Sequence, residues 1–396
     1  MSIELGILKD LREYFLSGKP LILIDENREK EGDFVYPAEL IDESMVEFFV
    51  RYGKGLFCLV APEGDLLSRG FFKLPTNYGA NYFIPIDFGD GTGISAYERA
   101  VTCRALANRD KKISEFRYPG HVMLIGSQDF SKRRGHSESS VELMKMCGFK
   151  PYSVIVEILN ERGDSHDFDY LSKLAEKFEL KTMSIKDVWR LYVLSNELIK
   201  IKSTAKLPTE YGIFEIVSFD NKLDYKEHFA LVKRWQGVPL VRIHSECVTG
   251  DCLSSLRCDC GSQLGKALKM IEKDGGVLIY LRQEGRDIGL SAKISAYELQ
   301  DKGLDTYEAN VKLGFKPDQR DYAAASQILK ALGIDKVRLL TNNPNKVKAL
   351  ESYGISVVER VSLYGKVTKF NVSYLKTKVE KFGHLIEIEG SKEVNL

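Results

Sequence analysis

Short apolar runs of strand length alternate with segments of helical spacing along most of this chain. Leu21–Asp25, Leu56–Ala61, His121–Ile125 and Val154–Ile158 are compact apolar runs that predict strands. Between them, Met45–Tyr52 has helical spacing and runs out at Gly53, and Ser95 with Glu98 forms a capping box before a helix to about Asn108. A further helix follows His136 and stops at Gly148, and two more close this half near Tyr192. The segment Asn196–Pro208 breaks the pattern and reads as a linker. Beyond it come strands at Ile213–Ser218, Phe229–Lys233 and Leu240–His244, a helix over Leu264–Lys273 and a fully apolar strand at Val277–Leu281. A helix over Tyr322–Leu332 stops at Gly333, and a strand covers Val337–Leu340. Asn343-Pro344 starts the next helix, Gly354 ends it, and Ile355–Glu359 is again a strand. The expected class is α/β (mixed α+β), with two domains in tandem: residues 1–195, a linker at 196–208, and residues 209–396. The final stretch of roughly thirty residues is polar and is expected to order only against a partner or substrate.

Composition narrows the functions. With 57 basic and 56 acidic residues the net charge is +1, so no global field draws in nucleic acid or a membrane surface. An anionic substrate must be held by local arginines and lysines. Seven cysteines without regular spacing argue against a disulfide framework and fit a reducing cytoplasm. The opening MSIELGILKDLREYF lacks a signal pattern, and no apolar run approaches the ~18 residues a membrane helix needs.

The densest chemistry lies in RIHSECVTGDCLSSLRCDCG, Arg242–Gly261. Cys258 and Cys260 flank Asp259, and Cys247 lies upstream. Three thiolates without an evident fourth ligand point to a zinc ion with an open position, which could hold and acidify a water. Three buried core thiols would be the plainer reading, but they would not alternate with Arg257 and Asp259. LRQEGRDIGL (Leu281–Leu290) follows a buried strand and offers backbone N–H groups and guanidinium forks to phosphates; a surface charge cluster is its commoner meaning. Asp318 and Arg320 read first as a salt bridge, and LLTNNPNK (Leu339–Lys346) first as a helix cap.

Taken together, RIHSEC, TGD, LRCDCG, RQEGR, IGL, LGF, LLTNNP and TK-x-EK-x-GHL, in that order over Ser203–Gly390, resemble the GTP cyclohydrolase II family. The resemblance implies hydrolysis of GTP to formate, pyrophosphate and a diaminopyrimidinone ribosylamine phosphate, the entry step of riboflavin synthesis. It places Cys247, Cys258 and Cys260 on zinc, makes Asp318 a general base and Arg320 a nucleophile toward the α-phosphate, and gives Tyr297 a catalytic position. Arg242, Ile243, His244, Ser245, Glu246, Gln263, Glu284, Gly285, Arg286, Thr306, Thr341 and Lys346 match GTP-contacting positions. Magnesium is expected to accompany the triphosphate. Asp287, where relatives often carry asparagine, is a small departure.

In the first half, IDENREKEGD (Ile24–Asp33) crowds Glu26, Glu29, Glu31 and Asp33, which need a cation or solvent. YPGH ends in His121, and RRGHSE carries Arg133, His136 and Glu138. Two histidines beside clustered carboxylates point to a hard metal. Residues 5–192 resemble 3,4-dihydroxy-2-butanone 4-phosphate synthase. That resemblance implies magnesium-dependent conversion of ribulose 5-phosphate to the four-carbon phosphate and formate. Arg28, Glu29, Glu31 and Asp33 match its acidic loop, Cys58 its active-site cysteine, and Glu29 with His136 its metal pair. His121 and Glu157 match proton-transfer positions, and Arg133 with Ser137 its phosphate loop. Ile24, Lys30, Ala80, Phe83, Tyr118 and Arg134 depart from the family pattern; Arg134 offers a substitute phosphate contact.

The expectation is a bifunctional riboflavin-pathway enzyme, a homodimer in the cytoplasm, acting on GTP and ribulose 5-phosphate with Zn2+ and Mg2+, and binding neither nucleic acid nor membrane. The alternative is a GTP cyclohydrolase whose first half is inert, serving stability, assembly or regulation. A non-enzymatic GTP sensor or RNA binder fits less well, because the chain is nearly uncharged and the thiolate triplet is intact.

Overall fold

The computed structural model describes residues 2–386 apart from 27, 28, 78, 80 and 166. The chain forms two compact units, Met1–Asn196 and Glu197–Leu396. Among the described residues each unit contains one seven-stranded sheet with helices packed on it, a mixed α/β architecture.

In the first unit the strands are β1 (Leu21–Ile24), β2 (Gly32–Pro37), β3 (Cys58–Pro62), β4 (Tyr82–Asp87), β5 (Arg117–Ser127), β6 (Ser153–Glu157) and β7 (Thr182–Ser184). Their order is β4-β5-β3-β6-β2-β1-β7, with β3/β5 and β1/β7 parallel and the other pairs antiparallel. The residues of β2 and β3 are almost all buried; β3 is a continuous apolar run, whereas β2 opens on Gly32 and the buried Asp33. Phe34 stacks on Phe49 of the helix Glu43–Tyr52, with centroids 5.4 Å apart. The register pairs Asp33 with Glu157 and Cys58 with Ile155, so three chemically distinctive side chains gather at one end of the central strands.

The second unit has β8 (Ile199–Thr209), β9 (Gly212–Asn221), β10 (Phe229–Lys233), β11 (Leu240–Ser245), β12 (Gly276–Leu281), β13 (Lys336–Leu340) and β14 (Ser356–Val361). The order is β14-β13-β11-β12-β10-β9-β8. β12, β11, β13 and β14 run parallel, and β10, β9 and β8 continue the sheet antiparallel. The helix Cys260–Asp274 lays Ala267, Leu268 and Ile271 against Phe214, Leu231, Leu240, Leu278 and Leu340. The loops after β11, β12 and β13 leave from the same end of the sheet, where open α/β sheets bind ligands.

Several regions depart from the sequence pattern, β2 among them, which covers the end of the segment read as a charged loop. The expected linker is largely β8, hydrogen-bonded to β9 along its length. Most of its residues are exposed, so it is an edge strand held by backbone pairing and guarded by lysines, with little apolar signal. β4 went unpredicted because Pro85 interrupts it, which an edge strand tolerates. The helix Ser2–Leu16, also unpredicted, buries Leu8, Leu11 and Phe15. Finally, the tail, expected to order only against a partner or substrate, contains the helix Val372–Glu380, which buries Leu375, Thr377 and Lys378.

Candidate active sites

At the carboxyl end of β11 the chain turns through Glu246 into Cys247, and the helix Cys260–Asp274 begins on Cys260. The Sγ atoms of Cys247, Cys258 and Cys260 lie within 4.8 Å of one another, those of Cys247 and Cys258 at 3.6 Å. Gly250 forms the floor. A Cβ there would stand 2.8 Å from Cys258 Sγ and 3.1 Å from Cys247 Sγ, so only glycine lets the three sulfurs converge. Asp251 organises the same loop, accepting from His244 Nε2 (3.0 Å), Tyr280 OH (2.9 Å) and the Cys247 N–H (3.0 Å). Hydrogen bonding from its two neighbouring thiols pulls the Cys247 pKa far down, while the Cys247 thiolate pushes Cys258 up to about 11 and Cys260 higher still. The trio alone thus holds one negative charge, and a divalent ion is what would draw off the other protons. Donor type, spacing and the glycine floor all fit zinc.

The sulfurs open into a cleft of about 1120 Å³, mouth included. Arg242, His244, Ser245, Glu246, Gln263, Glu284, Gly285, Arg286, Tyr297, Thr306, Arg320, Thr341 and Lys346, all singled out from the sequence, line it. Ile243 does not: its side chain is fully buried, and its carbonyl accepts from Lys346 Nζ at 2.8 Å. Asp318 stands behind Arg320, whose Nε and NH2 reach its two oxygens at 2.9 and 2.5 Å. Burial raises the Asp318 pKa, but the Arg320 hydrogen bonds outweigh it and the carboxyl lies below its ordinary range. In this arrangement Arg320 is a fixed cation and Asp318 its counterion. Burial, then Arg242 and Arg320, lower the Lys346 pKa far below that of a free lysine. An anion entering here would relieve that repulsion.

Glu284 is committed internally: Oε2 accepts from Val248 N–H at 2.6 Å, and Oε1 from Lys293 Nζ at 2.8 Å. The following turn is left-handed at Gly285 (φ 62°), Arg286 (φ 62°) and Asp287 (φ 73°), a conformation that glycine, asparagine and aspartate adopt more readily than other residues. Strain held at a cleft wall is typical of a functional turn.

The sequence reading passed over several cleft residues. Lys293 and Tyr374 fall on helix faces with no motif signal. Lys378 and His384 lie in the quoted TK-x-EK-x-GHL motif without an assigned role, in a tail expected to need a partner. Lys378 Nζ donates to Asp259 Oδ1 at 2.6 Å, Asp259 Oδ2 accepts from Gln263 (2.6 Å), and Gln263 Oε1 accepts from Arg242 (2.7 Å). This buried chain fixes the aspartate between the two cysteines.

In the first unit, Glu29, Glu31 and His136 place ligand atoms within 4.8 Å of one another, with His136 Nδ1 3.0 Å from Glu29 Oε2. Asp33 Oδ1 and His136 Nε2, 3.9 Å apart, are both buried without a hydrogen-bond partner. Oxygen donors with one imidazole and two orphaned buried atoms fit a hard divalent cation. Burial carries the Asp33 pKa up to about 7. Burial opposes a charge on His136, yet Asp33, Glu29 and Glu31 prevail and raise its pKa to about 9.

Glu157 Oε2 accepts from the Leu56 N–H at 2.7 Å, and Gly55 permits the approach, since a Cβ there would come within 2.5 Å of that oxygen. Cys58 is 1% exposed; burial, then Glu157 and Asp33, push its pKa far up, so it is a neutral thiol. His121 is anchored by one carboxylate: its N–H donates to Asp87 Oδ1 (2.9 Å) and its Nδ1 meets Oδ2 (2.8 Å). Arg133 NH1 donates to Glu138 Oε2 at 2.6 Å, and Ser137 is buried at the start of the helix His136–Met146. Arg28 and Ala80 lie outside the described residues.

The departures from the family pattern become intelligible. Lys30 has φ 57°, in the left-handed region that residues other than glycine, asparagine and aspartate seldom adopt. Arg134 lies over the Trp189 ring at 3.4 Å, which gives the guanidinium a partner other than phosphate. Tyr118 packs on Phe72 with centroids 5.5 Å apart. Phe83 is fully buried on β4 opposite Leu124, closing over Gly126. Phe83→Thr should cost roughly 3 kcal/mol in thermal or denaturant unfolding and gain no activity.

Comparison with known proteins agrees with this geometry. Residues 9–191 match the family model of 3,4-dihydroxy-2-butanone 4-phosphate synthase, and residues 200–362 that of GTP cyclohydrolase II. The riboflavin biosynthesis protein RibBA of Thermotoga maritima is 61% identical over 98% of this chain and 100% of its own length. That of Bacillus cytotoxicus is 43% identical over 96% and 98%. A solved structure from A. baumannii, described as RibBX, a two-domain 3,4-dihydroxy-2-butanone 4-phosphate synthase, is 26% identical, with a TM-score of 0.67 over 91% of this chain and 99% of that one. A thiolate cleft in one unit, a carboxylate–imidazole cluster in the other and near full-length kinship lead to one assignment: the chain belongs to the RibBA family of riboflavin biosynthesis proteins, with a 3,4-dihydroxy-2-butanone 4-phosphate synthase half followed by a GTP cyclohydrolase II half.

Proposed function

We propose that both halves are catalytic, the second with zinc on Cys247, Cys258 and Cys260, the first with magnesium on Glu29 and His136, joined by Glu31. The observation that carries the reading is the convergence of three sulfurs within 4.8 Å beneath a cleft lined by Arg242, Arg320 and Lys346. Bound zinc would supply an acidified water for opening the purine ring and releasing formate. The chain's own residues do the rest. Arg320, Lys346, Arg286 and Arg242 neutralise the triphosphate, with magnesium accompanying it. Thr341 and Gln263 offer polar contacts at the wall, and Tyr297, bonded to Thr249 at 3.1 Å, stands beside the sulfurs. The ion pair makes Arg320 an electrostatic clamp on the α-phosphate; acting as a nucleophile would first require it to lose the proton that Asp318 stabilises.

In the first half, His121, oriented by Asp87, and Glu157, held by Leu56, move protons on ribulose 5-phosphate, while Arg133 and Ser137 hold its phosphate. The neutral Cys58 thiol packs beside them as a wall and weak donor. An inert first half is disfavoured because Phe83, Tyr118 and Arg134 each have a packing partner and the metal cluster is intact. All seven cysteines are free, which suits a reducing cytoplasm. Among the described residues no helix is long and apolar enough to cross a membrane. A homodimer is the expected assembly.

The test is a two-substrate assay on one preparation. Chelation should stop formate release from both substrates. Zinc together with magnesium should then restore turnover of GTP, and magnesium alone that of ribulose 5-phosphate. A chain that carries no zinc as isolated, or that never yields formate from ribulose 5-phosphate, overturns the corresponding half.

A further inference from the structure

Lys293 sits one turn into the helix Leu290–Asp301 and is 9% exposed. Its ammonium reaches Cys247 Sγ at 3.1 Å, Thr249 Oγ1 at 2.9 Å and Glu284 Oε1 at 2.8 Å. Three donors therefore meet three acceptors, and nothing is left to touch a substrate. The same Glu284 holds the Val248 N–H at 2.6 Å, so the pair ties the left-handed turn after β12 to the loop that carries Cys247.

The chemistry of the sulfur cluster gives this cation a purpose. Three thiolates around one divalent ion leave a net negative charge, and thiolates donate electron density strongly. Both effects make an ion a poorer acid. Groups that hydrogen-bond the sulfurs are the protein's means of offsetting them. Among the described residues, the side chain whose cationic nitrogen bonds a cluster sulfur is Lys293.

We propose that Lys293 is a positioning residue of the thiolate centre, one that withdraws electron density from Cys247 and fixes its loop so that the bound metal stays electrophilic. The proposal rests on the zinc reading above. It assigns Lys293 no contact with GTP: substitution should act on turnover through the metal and leave substrate affinity almost alone.

Cobalt(II) in place of zinc makes the effect visible, because sulfur-to-metal charge transfer absorbs light at an energy set by how readily the sulfur donates. In the full-length Lys293→Met protein the band should move to longer wavelength. The zinc form should lose kcat for GTP on the order of tenfold to a hundredfold, with KM changed by less than about threefold. Lys293→Arg, which keeps the charge, should return the band toward its original position. Glu284→Gln, which leaves the ammonium on the sulfur, should not shift it to longer wavelength. If Lys293→Met fails to fold, Lys293→Gln replaces it, and its neutral N–H donor should give an intermediate shift. A metal-replete Lys293→Met protein with the original band, or with kcat within twofold of the unsubstituted chain, overturns the proposal. An unsubstituted chain that takes up cobalt without any sulfur charge-transfer band overturns the zinc reading instead.

Discussion

Cys258→Ser should end formate release from GTP, a fall of more than about a thousandfold, while ribulose 5-phosphate turnover in the same molecule persists. The reason is local. Cys258 Sγ lies 3.6 Å from Cys247 Sγ, and the thiol's pKa of about 11 reflects the neighbouring thiolate. A divalent ion lowers it by replacing that repulsion with attraction. A serine hydroxyl is a harder donor that keeps its proton near neutral pH, so the site drops to two thiolates and zinc is lost. Cys258 is only part-buried, so its oxygen analogue should not disturb the core. Elemental analysis alongside the formate assay checks the result. Full GTP turnover with one zinc per chain would remove Cys258 from the ligand set. Because binding must displace thiol protons, zinc affinity of the unsubstituted chain should fall as pH falls.

Much of this site could be read from the sequence because its chemistry is concentrated in short segments. Cys258 and Cys260 announce themselves by spacing, and the strands expected to end at His244, Leu281 and Leu340 end within one residue of those positions. Strand–helix alternation points to an α/β domain, and the parallel pairing of β12, β11, β13 and β14 fixes the side of the sheet where the cleft forms. What escaped was tertiary. Lys293 is one lysine on a helix whose spacing says nothing about a sulfur 46 residues earlier. Lys378 belongs to a polar tail, and only the buried carboxylate of Asp259, 119 residues away, explains why that tail orders. β8 escaped for a different reason: an exposed edge strand takes its stability from the backbone of β9, and side-chain pattern does not record that. Phe83 misled for the opposite reason: read as a departure from the family pattern, it is a core side chain on a strand interrupted by Pro85.

The corresponding expectation for the first half centres on His136. His136→Ala should abolish formate release from ribulose 5-phosphate, again by more than about a thousandfold, and leave GTP turnover intact. The imidazole has two tasks. With metal it is a neutral ligand beside Glu29 and Glu31. Without metal it is the cation that balances them and Asp33, which is why its pKa rises to about 9 despite burial. The folded value lies above the unfolded one of about 6.5, so the proton stabilises the fold fully below about pH 6.5, and that contribution is lost as pH rises through about 9. The metal-free first half should therefore melt at lower temperature at pH 9 than at pH 6. Magnesium should oppose the loss, and its stabilising shift should be larger at pH 9, where it no longer competes with the proton on the ring. In His136→Ala three carboxylates face one another without a cation, and magnesium is left with oxygen donors alone. The magnesium-dependent shift should then shrink at pH 9 and lose its dependence on the imidazole proton. Melting curves at both pH values, with and without magnesium, test this beside the formate assay. A substituted protein that keeps the full pH-dependent shift would show that some group other than His136 holds the metal.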